Sequence, residues 1–174
     1  MAFLVLGKLD IKESDYNWIQ DFRKEHDELN YNIVYPHFTF VFPTFGKDEK
    51  EFKDEVFKKV KDFKPIDFCI RCAVINKNAF NEYWHVLLVP DEGHSEIVKL
   101  HDKLYSDVLL DTLYLEIQFV PHIGVANSKD KRICKKLVDS INSSNINICG
   151  TIKTLDVAVY DNDTVKSIVE IELK

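Results

Sequence analysis

The chain has 174 residues, of which 45% are hydrophobic and 12% aromatic, with only five glycines and five prolines. This composition can form one well-packed core and excludes an intrinsically disordered chain. The formal net charge of −6 argues against a surface that follows a long nucleic acid, because such surfaces are rich in Lys and Arg. We therefore expect one domain over residues 1–174, built as a single unit or as two small lobes that share a core.

The apolar N-terminal segment, residues 1–7, is too short to span a membrane, which takes about 20 apolar residues. It also lacks the basic region and the small-residue cleavage site of a signal peptide. We therefore expect it to form a buried strand in a cytoplasmic protein that does not bind membranes.

In the first half of the chain, apolar residues alternate or recur at helical spacing in segments separated by turn residues. Pro43 is expected to end one of the strands, and Asn76-Lys77-Asn78 to form a turn between two others. The pattern predicts strands over 3–9, 37–43, 66–75 and 83–89, and helices over 14–28 and 48–61.

The second half nearly repeats this order of elements. It predicts helices over 94–109 and 129–142, an extended segment over 115–126, and strands near 147–159 and 164–173. The last two are expected to form a hairpin that turns at Asp161-Asn162-Asp163. Helices and strands in this order indicate an α+β fold with antiparallel sheets and outer helices. The repeat divides the chain into halves of roughly 1–90 and 91–174.

Two tetrads stand out, Pro36-His37-Phe38-Thr39 and Pro121-His122-Ile123-Gly124. They lie about half a chain length apart, each at the start of an apolar run. Because alternate side chains of a strand share a face, His37 should lie beside Thr39, and His122 beside Gly124. Histidine titrates near physiological pH, so two histidines that face one substrate could remove one proton and donate another.

The tetrads resemble the motifs of the two-histidine (2H) phosphoesterase superfamily, which includes bacterial 2′-5′ RNA ligase/cyclic phosphodiesterases. That superfamily carries two H-x-T/S-x motifs about half a chain apart. The first motif here, His37-Phe38-Thr39-Phe40, matches fully, and the second, His122-Ile123-Gly124-Val125, matches in part. The resemblance implies a bilobal α+β fold with a pseudo-twofold repeat. Two antiparallel sheets would face a central cleft, with the helices outside.

The resemblance also implies phosphodiester chemistry without a metal or an organic cofactor. The substrate would be a 2′,3′-cyclic phosphate or a 2′-5′ linkage of a small nucleotide or an RNA end, and the protein is expected to be a monomer. His37 and His122 would be the acid/base pair, with Thr39 and the Gly124 backbone in the phosphate site. In the family pattern His122 would be the base, and hydrolysis would leave a 2′-phosphate.

Gly124 departs from the family motif because it carries no hydroxyl, although its backbone or nearby Ser128 or Lys129 could donate instead. Two alternatives therefore stay open. The same cleft could bind a terminal phosphate or a small nucleotide without efficient turnover. In a purely structural α+β domain, both histidines would instead be buried core residues.

The remaining cysteines, histidines and aromatic residues are interpreted as structural. Cys69 and Cys72 should face opposite sides of one strand, which disfavours a shared metal ion or a disulfide between them, so all four cysteines are expected to be buried free thiols. The other histidines are expected to be incidental, with His85 on a sheet face. His26, His94 and His101 are expected on helical or loop surfaces. Tyr35, Phe42 and Trp84 are expected in the core, with stacking on a nucleobase as the alternative. Lys47, Lys129 and Arg132 are expected on solvated helix faces, from which they could add positive charge at the cleft rim.

Overall fold

A computed structural model describes all residues, 1–174, and contains two antiparallel sheets. The first sheet has the strand order β3-β1-β8-β9, and the second has the order β2-β7-β4-β5-β6. The first sheet comprises β1 (Ala2–Lys8), β3 (His37–Thr44), β8 (Thr154–Asp161) and β9 (Thr164–Glu172). The second comprises β2 (Asp10–Ile11), β4 (Ile66–Lys77), β5 (Trp84–Glu92), β6 (Ile123–Ser128) and β7 (Ile148–Ile152).

Four α-helices and one 3-10 helix accompany the sheets. Helices α2 and α3 contact each other, and α3 also packs on β3, whereas α4 packs on β4, β5 and β6 and α1 lies against β6. None of the helices is both long and apolar enough to cross a membrane. The α-helices are α1 (Glu13–His26), α2 (Glu49–Val60), α3 (His94–Leu104) and α4 (Lys131–Ser143), and the 3-10 helix is Asp107–Thr112.

The two sheets confirm the predicted α+β class and its antiparallel pairing. Each sheet takes strands from both halves of the chain. The strands that carry the two histidine motifs, β3 and β6, are the edge strands of their sheets and contact each other. The two motifs therefore meet where one lobe adjoins the other.

Alternation along β3 fixes which side chains face the core. Phe38 and Phe40 are fully buried, and the Phe38 ring packs edge-on against Phe68 of β4 with 5.1 Å between the ring centroids. Burying a side chain of this size stabilises a fold by roughly 1.5–3 kcal/mol. The buried phenylalanines therefore hold His37 and Thr39 on the opposite face of β3.

A β-bulge gives β6 a different pattern. Opposite Leu87 lies Gly124, and opposite Val86 lies Ala126, so Val125 is the extra residue of the bulge. Both Val125 and Ala126 are buried as a result. The strand thereby returns Asn127 to the face on which Gly124 lies.

Three predicted segments differ from the structure. The segment 147–159 is not one strand but two, β7 and β8, which belong to different sheets. The helix predicted over 94–109 ends at Leu104, and Asp107 begins the 3-10 helix with a positive φ of 57°. Within 115–126 only the part from Ile123 onward is a strand.

The expectation that all four cysteines are free thiols was wrong for two of them. Cys69 and Cys149 form a disulfide, whereas Cys72 and Cys134 are free. The register of β4 and β7 places Cys69 directly opposite Cys149, with their Cα atoms 4.1 Å apart. Spacing within one strand says nothing about this partner, because it comes from a strand 80 residues further along the chain.

Candidate active site

His37 is held at the first position of β3 by two hydrogen bonds. Its Nδ1 lies 2.6 Å from the backbone oxygen of Tyr35, and its Nε2 lies 3.0 Å from Thr39 Oγ1. Because a carbonyl oxygen can only accept, Nδ1 carries the proton of the neutral ring. The Thr39 hydroxyl then donates to Nε2, so Nε2 is the basic nitrogen of this histidine.

His122 repeats this arrangement immediately before β6. Its Nδ1 lies 2.6 Å from the backbone oxygen of Val120, which is again the residue two positions earlier. The same argument places the proton of the neutral ring on Nδ1 and leaves Nε2 as the base. Two residues later Gly124 is exposed and has no hydroxyl to offer. The two histidines therefore have the same tautomer and the same type of hydrogen bond to the backbone. They differ two residues later, where Thr39 has a hydroxyl and Gly124 has none.

Burial lowers the pKa of both histidines. Desolvation takes the pKa of His37 down to about 4, while the hydrogen bond to Tyr35 acts in the opposite direction. The charge of Arg23, and that of His122 when it is protonated, lower the pKa as well. Desolvation also lowers the pKa of His122, against the hydrogen bond to Val120. Both rings are therefore neutral at pH 7 in the free protein, and a bound phosphate anion would raise their proton affinity.

We expect His37 to make stability depend on pH. Its pKa falls from an ordinary 6.5 to about 4 on folding, so between these values the unfolded chain binds more protons than the folded one. The contribution of the neutral ring to the free energy of unfolding is therefore present above pH 6.5 and is lost as the pH falls towards 4. At pH 5 the free energy of unfolding is lower by about 2 kcal/mol. Urea unfolding at pH 7.5 and pH 5 tests this against His37→Asn, which cannot titrate there. An equal loss of stability in both proteins would contradict the assignment.

A buried ion pair joins the two motif-bearing segments, and sequence reasoning missed it. Arg23 is 2% exposed, and its Nε lies 3.0 Å from Asp27 Oδ2. The same guanidinium donates to the backbone oxygen of Val34 at 2.9 Å, three residues before His37. Asp27 Oδ1 accepts from the side-chain amide of Asn127 on β6. The Arg-x-x-x-Asp spacing at the end of α1 is visible in the sequence, but its burial depends on tertiary packing.

The polar residues beside His37 form hydrogen bonds or ion pairs with one another. Tyr35 donates its hydroxyl to Asp156 Oδ2 at 2.7 Å, and Ser167 donates to Asp156 Oδ1 at 2.6 Å. Lys8, which pairs with His37 across β1 and β3, lies 2.7 Å from Glu170. The Tyr35 hydroxyl therefore has its partner within the protein, and the Tyr35 ring lies edge-on to His37 with 5.9 Å between the ring centroids.

Most of the charges expected at the cleft rim have acidic partners. Lys47 donates to the backbone oxygen of Val108 and to Asp111, and Lys129 lies 3.3 Å from Glu82. Ser128 Oγ accepts from the backbone N–H of Asp130 near the start of α4. Lys129 and Ser128, considered above as substitutes for a hydroxyl at Gly124, therefore already have partners within the protein.

His101 corrects another expectation, because it is buried rather than on the surface. Its ring stacks on Phe119 with 3.6 Å between centroids, and its Nδ1 donates to the backbone oxygen of Phe40. Phe119 and Phe40 come from other segments of the chain, so helical spacing alone does not predict this burial. No group of three or more His, Cys, Asp or Glu side chains is placed to hold a metal ion.

Comparison with known families gives the same assignment as the motifs. The model of the 2′-5′ RNA ligase superfamily matches residues 11–164. The chain belongs to this superfamily. The resemblance inferred from the two histidine motifs is thereby confirmed.

Similar proteins are found among both sequences and solved structures. Two bacterial relatives carry the name "Putative phosphoesterase". That of Bacillus licheniformis is 31% identical over 140 residues, covering 79% of this chain and 72% of the relative. That of Geobacillus sp. is 31% identical over 111 residues, covering 62% of this chain and 61% of the relative.

Solved structures support the fold. Escherichia coli LigT complexed with 3′-AMP matches with a TM-score of 0.60 at 12% identity, over 99% of this chain and 97% of LigT. Kluyveromyces marxianus Usb1 matches with a TM-score of 0.53 at 8% identity, over 98% of this chain and 97% of Usb1. The two-sheet fold expected of the superfamily is therefore confirmed.

Proposed function

We propose that this protein is a phosphodiesterase that acts on a 2′,3′-cyclic phosphate or a 2′-5′ linkage of a nucleotide or an RNA end. The observation that carries the proposal is the matched pair of histidines at the starts of the adjoining edge strands. Each has its Nδ1 anchored on the carbonyl two residues earlier and its Nε2 available as the basic nitrogen. An acid/base pair requires two such nitrogens fixed on opposite sides of one phosphate.

For a cyclic phosphate, we assign His122 as the base and His37 as the acid. Nε2 of His122 removes a proton from water, and the water oxygen forms a bond to phosphorus. The bond from phosphorus to the 3′-oxygen breaks, and protonated His37 gives its Nε2 proton to that oxygen, leaving a 2′-phosphate. Each proton transfer contributes roughly 10²–10⁴ in rate. The phosphate anion favours the protonated His37 that this step needs.

Thr39 links the protonation of His37 to phosphate binding. In the free protein its hydroxyl donates to Nε2 of neutral His37, 3.0 Å away. When Nε2 gains the proton that it later gives to the 3′-oxygen, it can no longer accept from the hydroxyl, which must turn its own proton elsewhere. A nonbridging phosphate oxygen is the natural acceptor. Protonation of His37 would thus release the Thr39 hydroxyl to stabilise the phosphate.

We also propose that the substrate is small and the setting cytoplasmic, with the protein acting as a monomer. The net charge of −6 and the pairing of Lys47 and Lys129 with acidic groups favour one nucleotide or a strand end over a long track. Gly124 supports a second candidate function, which is binding of the same ligands with little turnover. Its missing hydroxyl removes one donor from the phosphate site.

Turnover of defined substrates tests the proposal. The four nucleoside 2′,3′-cyclic monophosphates and a 2′-5′ dinucleotide would be incubated with the protein in the presence of a chelator. Chromatography would separate 2′-phosphates from 3′-phosphates. We expect chelator-resistant release of the 2′-phosphate. Binding without turnover of any of these substrates would favour the binding module instead.

A further inference from the structure

Two polar side chains lie side by side on the face of the second sheet on which Gly124 of the second motif lies. His85 of β5 is directly opposite Asn127 of β6, and Leu87 is directly opposite Gly124. His85 and Leu87 share a face because they alternate along β5. Asn127 is linked to the site through Asp27, which accepts from its side-chain amide and pairs with Arg23, the donor to the Val34 backbone oxygen before His37. His85 and Asn127 therefore adjoin the proposed catalytic site.

The hydrogen bonds of Asn78 fix the tautomer of His85. Asn78 Oδ1 accepts from the backbone N–H groups of Phe80 at 2.8 Å and Asn81 at 3.1 Å, so its amide nitrogen must be the atom that faces His85. That nitrogen lies 2.9 Å from His85 Nε2 and donates to it. Nε2 is then the acceptor of the neutral ring, and Nδ1 carries the proton. Burial lowers the pKa of His85 and keeps the ring neutral at pH 7.

The orientation of the Asn127 side-chain amide is also fixed, and it presents an acceptor where His85 presents a donor. Its amide nitrogen donates to the carboxylate of Asp27, which can only accept, so the amide cannot be flipped. Its Oδ1 is then an acceptor with no partner within the protein, although the residue is only 6% exposed. Buried polar atoms nearly always have a hydrogen-bond partner. An oriented, unpartnered acceptor beside an oriented donor is what a binding site for a polar group requires.

We propose that His85 Nδ1–H and Asn127 Oδ1 form a subsite that binds the polar edge of the substrate's nucleobase. This inference rests on the proposed function. Side chains directly opposite each other on neighbouring strands lie about 5 Å apart, so the two groups suit two atoms of one planar edge better than a single hydroxyl oxygen. Every nucleobase offers an acceptor beside a donor on its Watson–Crick edge. Both protein groups are neutral, which fits an uncharged base and not a second phosphate.

The test compares a substrate that has a base with one that lacks it. Turnover of cytidine 2′,3′-cyclic phosphate and of 1-O-methylribose 2,3-cyclic phosphate would be measured for wild type, Asn127→Ala and His85→Phe. The control is Asn142→Ala on α4, which also loses a side chain amide, but one bonded to both backbone groups of Ala73. Wild type should prefer the nucleoside in kcat/KM. Each variant should reduce that ratio about three- to tenfold, since one hydrogen bond contributes about 0.5–1.5 kcal/mol, and the control should not.

The ratio separates recognition of the base from damage to the fold, because a damaged fold loses turnover of both substrates alike. An unchanged ratio in both variants would overturn the subsite, whether turnover of the two substrates stays the same or falls equally. An equal fall is also the result expected if the pair binds a ribose hydroxyl. If wild type turns over neither substrate, the proposed function fails separately. In that case, calorimetric titration would compare the affinities for cytidine 2′-monophosphate and ribose 2-phosphate. If the variants lose the preference of wild type for the nucleotide, the subsite is supported. If both variants keep that preference, the subsite is overturned.

Discussion

Replacing either His37 or His122 with alanine is expected to lower kcat/KM for a nucleoside 2′,3′-cyclic phosphate by about 10²–10⁴. Each change removes one of the two proton transfers, because it removes the Nε2 atom of a ring that is anchored through Nδ1. Steady-state rates at pH 7 with a chelator present measure the loss. His26→Ala is the matched control, because His26 lies at the end of α1 and contacts Glu25 and Phe22.

Asparagine variants separate catalysis from packing. The amide nitrogen of asparagine lies near the position of a histidine Nδ1, so His37→Asn can keep the hydrogen bond to the Tyr35 carbonyl and lose only Nε2. We expect this variant to melt close to wild type and to be as inactive as His37→Ala. If the histidines were only core residues, the melting temperature would fall while any turnover of the protein stayed. That result would contradict the proposed acid/base pair.

The local features of the site could be predicted from the sequence because they follow from short-range rules. Alternation of Phe38 and Phe40 with His37 and Thr39 needs only the period of a strand. The proline-histidine steps identified both motifs and, through them, the superfamily. Most elements follow similarly from their apolar spacing, including the hairpin of β8 and β9.

Features that depend on distant partners could not be predicted. The break between β7 and β8 follows from their pairing with different sheets, and the disulfide of Cys69 follows from the register of β4 with β7. A buried arginine is unusual, so Arg23 was not expected to hold the segment that leads to His37. The bulge at Val125 turns Asn127 towards the site, and no local pattern indicates it.

Gly124→Thr is expected to raise turnover, by up to about 10²-fold if the phosphate site lacks one donor. A Cβ atom at this position would meet nothing within 4 Å, and the backbone does not have the positive φ that favours glycine. Thr39 shows where the hydroxyl would lie, since its Oγ1 is 3.0 Å from His37 Nε2. The new hydroxyl should therefore reach Nε2 of His122 and a phosphate oxygen beside it. Rates of wild type and variant on the same cyclic phosphate measure the gain.

Gly124→Val is the control for the hydroxyl, because it has the shape of threonine without the donor. Either β-branched residue should stabilise β6, since glycine inside a strand is destabilising by roughly 0.5–1 kcal/mol relative to alanine. A gain in turnover shared by both variants would therefore come from the strand and not from a new donor. A loss of turnover in both variants would mean that the open space at Gly124 is occupied by substrate. In that case the glycine lets the backbone N–H approach the phosphate, and the second motif would supply its donor from the main chain.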